Sequence, residues 1–143
     1  MRGPMSDPTH ELILPPPLRA ALLDEARRAG PEEVCGLLLG RRDAGRAEVV
    51  EVTHERNVAE DRARGFVIDP GCVVAAHDAA VRRGLAVLGT WHSHPGAAAD
   101  TRLSTADVAA AWPGDVLVVA AGAALGAYTV EAGEARVVTL REA

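Results

Sequence analysis

The most constraining feature of this sequence is a series of short apolar runs combined with two longer helical patterns. EVCGLLLG (residues 33–40) and LAVLGTWHSH (85–94) have the length of buried strands, and the C-terminal segment 115–142 contains three more such runs between glycine-rich turns. RAEVVEVTH (46–54) alternates polar and apolar residues, which predicts an antiparallel hairpin with the first run. These strands are expected to share one sheet, whose apolar faces need a cover.

The two helical patterns supply that cover. Within residues 14–33, leucines and alanines recur at helical spacing, and the predicted helix stops at Gly30. A second predicted helix begins with Asp69 as its cap and stops at Gly84. This pattern predicts an α/β or α+β layered structure, of which we take the α/β fold, a single-domain mixed β-sheet flanked by helices.

The length and charge of the chain restrict its class further. We predict one domain over residues 10–143, preceded by a flexible N-terminal tail over residues 1–9, because 143 residues with 48% hydrophobic content suffice for one core. A net charge of −5 with scattered arginines argues against nucleic acid or a membrane as a partner. The N-terminal segment lacks the apolar stretch of a secretory signal, which predicts a cytoplasmic protein. In the cytoplasm, Cys35 and Cys72 are expected to be thiols.

The polar residues at the end of the run 85–94 and shortly after it form a candidate metal site. On a strand, His92 and His94 project from the same face. Ser104 and Asp107, three residues apart, lie on the first turn of a predicted short helix. Two histidines and an aspartate would leave the fourth position of a zinc ion open, as in catalytic sites. The alternative is a strand end with incidental histidines, followed by a Ser-Asp capping box.

A general base for such a site has two candidates. Glu32 and Glu33 both precede the apolar run at 34–40, where a carboxylate can accept a proton from water. From local sequence alone, a solvated and inactive glutamate is the favoured interpretation.

Taken together, these motifs resemble a known family. EVCG, HSHP and the following Ser-x-x-Asp, in this order, are similar to the JAMM or MPN+ zinc metallopeptidases, and NVAEDRARGFVIDP and AAAWPGDVLVV look like the compact bacterial members. The resemblance covers roughly residues 12–141 and implies the layered fold of that family, similar to cytidine deaminases.

The resemblance also implies roles for individual residues. His92, His94 and Asp107 would be the ligands of Zn²⁺, Glu33 the base that moves the proton, and Ser104 the donor to the developing oxyanion. Glu33 is preferred to Glu32 because the family motif is Glu-x-Cys-Gly. The loop from His94 to Asp107 is two residues longer than the family spacing, and the extra residues are expected to bulge within residues 96–103.

The implied reaction is hydrolysis of the amide bond after the C-terminal Gly-Gly of a ubiquitin-like protein, with a ubiquitin-like sulfur-carrier protein as the favoured substrate. We expect the tail to add as a strand to the segment FVI (residues 66–68), predicted to be a short edge strand. Two other functions stay open: a metal-free MPN-type scaffold for protein assembly, and a cysteine hydrolase using Cys35 with His92.

Overall fold

The computed structural model describes residues 8–96 and 100–142. Of the predicted flexible tail over residues 1–9, only Pro8 and Thr9 fall within this range, and Thr9 is buried. The division of the chain into a tail and one domain from residue 10 stays a prediction, because residues 1–7 lie outside the described part.

The described residues form eight strands and three helices. The strands are β1 (Glu11–Ile13), β2 (Cys35–Asp43), β3 (Arg46–Val52), β4 (Ala86–Ser93), β5 (Val116–Ala121), β6 (Ala124–Glu131), β7 (Glu134–Val137) and β8 (Thr139–Arg141). The helices are α1 (Pro16–Arg28), α2 (Pro70–Arg82) and α3 (Thr105–Ala110).

All eight strands belong to one sheet with the order β7-β6-β5-β4-β2-β3-β1-β8. The sheet is mixed: β2 is antiparallel to β3 and β4, whereas β4 is parallel to β5 and β1 is parallel to β3 and β8. β7 and β8 are consecutive in the chain but lie at opposite edges, so the sheet curls until it is nearly closed. Val138, between these strands, donates its N–H to the carbonyl of Ala127 at 2.8 Å.

One apolar run contributes to two separate cores. Leu38 of β2 lies in the cluster that includes Leu22 of α1, whereas Leu37 and Leu39 lie in the cluster that includes Ala80 of α2. Successive strand residues point to opposite faces of the sheet, so the continuous apolar sequence serves both helices. The predicted single-domain mixed sheet flanked by helices is confirmed.

The two long helices begin and end as their sequences indicate. The carboxylate of Asp69 accepts the N–H of Gly71 at 2.8 Å, and Gly84 follows α2 with a φ of 70°, a conformation that glycine adopts without strain. α1 and α2 have 13 residues each. In the part of the chain that the structure describes, no helix is long and apolar enough to cross a membrane.

The predicted strand at residues 66–68 is wrong. These residues form no strand, and Val67 donates its N–H to the side chain of Asn57 at 3.1 Å while its carbonyl accepts the N–H of Val58 at 2.8 Å. The main-chain groups of Val67 are therefore used within the loop, which removes the expected site of strand addition. The sequence interpretation also missed β1 and the separation of the last strand into β7 and β8.

One charged side chain in the fold gives a pH-dependent prediction. Burial raises the pKa of Asp115 to about 6, although the nearby Arg42 acts in the opposite direction. A carboxyl whose folded-state pKa is raised binds its proton more tightly when folded, so this stabilisation is present below pH 4 and is lost as the pH rises through about 6.

We therefore expect Asp115→Asn to raise the free energy of unfolding at pH 8 by about 1 kcal/mol, after a discount for partial exposure, and to change little at pH 4. Urea unfolding at both pH values measures this. Asp43→Asn, at an exposed end of β2, is the control. A lower stability of Asp115→Asn at pH 8 would contradict the prediction.

Candidate metal centre

The candidate centre lies where the end of β4 meets the start of β2. These strands are antiparallel, and their register places Cys35 opposite His92. Residues that precede β2 consequently lie beside residues at the end of β4. The sheet thus brings Glu33 next to the two histidines, although about sixty residues separate them in the chain.

The two histidines share one face, as the sequence predicts. His92 is completely buried, and His94, one residue beyond the end of β4, is partly buried. Their ring centroids are 4.9 Å apart and their Nε2 atoms 3.1 Å apart. A strand end therefore presents two imidazole nitrogens to the same point.

Asp107 reaches this point from the first turn of α3. Ser104 caps the helix: its hydroxyl oxygen accepts the N–H of Asp107 at 3.0 Å, and its own N–H donates to Asp107 Oδ2 at 2.9 Å. The same Oδ2 lies 3.1 Å from the Nε2 atoms of His92 and His94. The capping box and the metal-ligand arrangement, two competing interpretations of the sequence, are thus present together.

The three ligand atoms have the spacing of a tetrahedral site. Nε2 of His92, Nε2 of His94 and Oδ2 of Asp107 form a triangle with sides of 3.1 Å. A zinc ion about 2.0–2.1 Å from each ligand would separate the ligands by about 3.3 Å. These residues can therefore hold a metal ion without large movement.

The hydrogen bonding of His94 also fits a cation. Its Nδ1 lies 3.0 Å from the carbonyl oxygen of Asp100. A carbonyl only accepts, so Nδ1 carries the hydrogen and the neutral ring presents a lone pair at Nε2. In the neutral ring that lone pair faces the carboxylate of Asp107 at 3.1 Å, a repulsion that either a proton on Nε2 or a metal cation between the two atoms relieves. Contact with this carboxylate raises the pKa of His94.

Burial and contacts within the cluster shift the pKa values of its other two members, His92 and Asp107. Burial lowers the pKa of His92, whose Nδ1 has no hydrogen-bond partner among the described residues. Burial would raise the pKa of Asp107, but its contacts with His92 and His94 hold the pKa below its ordinary value. Both effects favour a neutral imidazole and an ionised carboxylate, the forms that bind metal.

Glu33, unlike Glu32, lies at the cluster. Its side chain is buried, and its Oε1 has no hydrogen-bond partner within the described part of the chain. Burial, followed by repulsion from Asp107, raises the pKa of Glu33 to about 7. Glu32 is half exposed and pairs with Arg62 at 2.6 Å. Of these two glutamates, Glu33 has the location that suits a general base, because it is buried beside the cluster.

A cavity of about 360 Å³ opens beside the cluster, and Glu33, His94, Arg102 and Ser104 are among its lining residues. The Ser104 hydroxyl uses an oxygen lone pair to accept the N–H of Asp107, so its hydrogen stays available to donate into the cavity. The predicted base and the predicted oxyanion donor therefore face the same space.

The cysteine-hydrolase alternative is not compatible with this geometry. Cys35 is completely buried, and its Sγ lies 3.7 Å from the carbonyl oxygen of Glu55. Burial raises the pKa of the Cys35 thiol to about 12, which excludes a useful fraction of thiolate at neutral pH. Cys72, the second thiol, is exposed on α2.

Three supporting residues escaped the sequence interpretation. Ser93 exchanges hydrogen bonds with Val34, through Ser93 N–H to the Val34 carbonyl at 2.9 Å and Val34 N–H to the Ser93 hydroxyl at 3.0 Å. Phe66 stacks on His92 with a centroid distance of 4.5 Å. Gly36 has no room for a Cβ, which would lie 1.8 Å from the Thr53 carbonyl. All three lie within motifs that resemble the family, in HSHP, NVAEDRARGFVIDP and EVCG respectively, but no motif by itself indicates these contacts.

The loop between His94 and Asp107 is described at both ends. Residues 97–99, within the segment expected to bulge, lie outside the described residues. Before α3, the carbonyl oxygen of Asp100 accepts a hydrogen bond from His94, and its carboxylate accepts one from Arg102. The longer loop therefore still orients one of the predicted ligands.

Together, the nearly closed mixed sheet and its three convergent side chains define a small α/β protein with a candidate catalytic metal centre. Comparison with known families identifies residues 15–138 as matching the prokaryotic homologs of the JAB domain. The chain belongs to this family, as a compact bacterial member of the JAMM/MPN group.

Similar proteins agree with this membership. A Thermus thermophilus protein named as a probable TtuB-protein conjugate cleaving protease is 36% identical over 98 residues, which are 66% of this chain and 62% of that protein. A solution structure from Desulfitobacterium hafniense has a TM-score of 0.76 and 27% identity, covering 92% of this chain and 94% of the other. One from Salinibacter ruber has a TM-score of 0.66 and 30% identity, with coverages of 93% and 91%.

Proposed function

We propose that this protein is a zinc metallopeptidase or isopeptidase that hydrolyses the amide bond after the C-terminal Gly-Gly of a ubiquitin-like sulfur-carrier protein. The observation that carries the proposal is the buried Glu33 carboxylate, with a pKa raised to about 7, next to three convergent ligand atoms. A structural metal site needs no such carboxylate beside it, whereas hydrolysis does.

His92, His94 and Asp107 would hold the zinc ion, which when bound supplies a Lewis acid that acidifies water and polarises the scissile carbonyl. Glu33 would take a proton from the attacking water at Oε1, the oxygen without a partner among the described residues. It would return that proton to the nitrogen of the leaving amine as the C–N bond breaks. Burial raises the pKa of this carboxyl, which suits a group that first accepts a proton and then returns it.

Ser104 would donate its hydroxyl hydrogen to the carbonyl oxygen as negative charge develops there. A single donor of this kind is typically worth about 10²- to 10³-fold in rate. Because Ser104 also caps α3, its hydroxyl is held in place by the same helix turn that orients Asp107.

The choice of substrate rests on relatives and on the form of the site. The Thermus thermophilus relative is named for cleaving conjugates of TtuB, but the match covers less than two thirds of its length, so its activity is carried over only as a proposal. The bond cleaved would join the carrier either to a lysine side chain or to a small amine. The cytoplasmic location predicted from the sequence stays a prediction.

The direct test is incubation of the zinc-loaded protein with the ubiquitin-like proteins of its own genome, each extended beyond Gly-Gly by a short peptide. Intact-mass analysis is expected to show loss of the extension after the second glycine. Matched carriers ending in Ala-Ala before the same bond are expected to be cleaved at least about tenfold more slowly, on the hypothesis that the passage to the metal leaves no room for a Cβ.

Two results would oppose the proposal. Equal cleavage of Gly-Gly and Ala-Ala tails would remove the selection for glycine. A protein that binds a carrier stably but contains no metal and cleaves nothing would favour the alternative, a metal-free scaffold for protein assembly.

A further inference from the structure

The loop between β3 and α2 is organised by the side chain of one residue, Asn57. Its Nδ2 donates to the carbonyl oxygens of Glu33 at 2.9 Å and Gly65 at 3.0 Å. Its Oδ1 accepts the N–H groups of Ala59 at 3.0 Å and Val67 at 3.1 Å. These four bonds use both amide hydrogens and both oxygen lone pairs. One amide therefore fixes a loop that has little regular structure.

This loop also holds the backbone of Glu33 from both sides. The Glu33 N–H donates to the Arg62 carbonyl at 2.7 Å, and the Glu33 carbonyl accepts from Asn57. Glu33 precedes the first residue of β2, so the β2–β4 ladder does not include it. The sheet therefore brings Glu33 to the cluster, and the loop holds both of its main-chain polar groups in place.

The same loop covers the metal cluster. Phe66, next to Val67, stacks on His92 with rings 4.5 Å apart and 23° from parallel. An aromatic ring at this place shields one face of the histidine from water. Asn57 therefore links the backbone of the proposed base to the group that covers one of the proposed ligands.

We propose that Asn57 is a positioning residue for hydrolysis, which acts through Glu33 by holding its carboxylate at the reacting water. This inference rests on the proposed function. Asn57 lies outside the ligand cluster, so its replacement is expected to lower the rate of the chemical step and to leave metal binding intact.

The test uses Asn57→Asp in the zinc-loaded full-length protein with a carrier substrate. Aspartate keeps the shape and the acceptor oxygens but has no hydrogens for the carbonyls of Glu33 and Gly65. We expect kcat to fall about 10- to 100-fold, with KM within twofold of the original and zinc content unchanged. Glu60→Ala, an exposed change in the same loop, is the control and is expected to retain kcat.

A double-mutant cycle separates positioning from general damage to the fold. In a Glu33→Gln background, Asn57→Asp is expected to change residual turnover less than twofold, because the group through which it acts is already gone. A role confined to stability would give the same fold-change in both backgrounds. Thermal melts of all variants identify any that are unfolded, and Asn57→Ser replaces Asn57→Asp if that variant does not fold.

The outcomes distinguish this inference from the proposed function. Cleavage by the original protein together with full kcat in folded Asn57→Asp and Asn57→Ser overturns the inference alone. Additive losses in the cycle also overturn it. A zinc-loaded original protein that cleaves no carrier overturns the proposed function and this inference with it.

Discussion

His92→Ala and Asp107→Ala are each expected to reduce bound zinc from about one ion per chain to less than about a tenth of that value. Either change leaves two protein ligands in place of three. The complete set places three ligand atoms 3.1 Å from one another, and the remaining two are expected to bind zinc much more weakly. Elemental analysis of protein dialysed against a zinc buffer measures the stoichiometry, and activity is expected to fall with it.

His77→Ala is the matched control, since His77 lies on α2 outside the cluster. Zinc content is expected to be unchanged in this variant. The folded structure is expected to survive the loss of zinc, because the two apolar cores consist mainly of leucine, valine and alanine side chains and include none of the three ligands. Undiminished stoichiometric zinc in both ligand variants would refute the site.

Glu33→Gln is expected to lower kcat by at least about 10³-fold while zinc binding is retained. The amide preserves the size of the side chain but cannot take a proton from water, so the chemical step loses its base. Because Glu33 is not a member of the three-ligand cluster, the metal site keeps its full set of protein ligands. Single-turnover cleavage followed by intact-mass analysis measures the effect, together with zinc content.

Glu32→Gln is the neighbouring control. Glu32 is half exposed and bound to Arg62, so its change is expected to alter kcat less than threefold. A large loss from Glu32→Gln with little effect of Glu33→Gln would mean that the base was assigned one residue from its true position. An equal loss in both variants would indicate damage to the loop that holds Glu33.

Much of the site was accessible from the sequence because its parts obey local periodicities. His92 and His94 share a face since strand side chains repeat every two residues, and the structure brings their Nε2 atoms within 3.1 Å. Ser104 and Asp107 meet because residues three apart adjoin on a helix turn. The choice of Glu33 over Glu32 came from the family resemblance, and the structure places the two carboxylates in different environments.

The errors and omissions concern pairings between distant segments. β1 and β8 have three residues each and pair with each other in parallel, although more than a hundred residues separate them in the chain. No periodicity is detectable in three residues. The segment 66–68 has the composition of a strand, but the amide of Asn57 took the main-chain hydrogen bond that strand pairing would have used.

The sequence by itself determined the helices, the central strands and the two local pairs His92/His94 and Ser104/Asp107, since each depends on the stereochemistry of neighbouring residues. Only the tertiary structure decided that the sheet nearly closes, that Glu33 reaches a cluster some sixty residues away in the chain, and that its pKa rises to about 7. Burial and charge proximity are properties of the folded molecule, because they depend on which distant segments exclude water from a group.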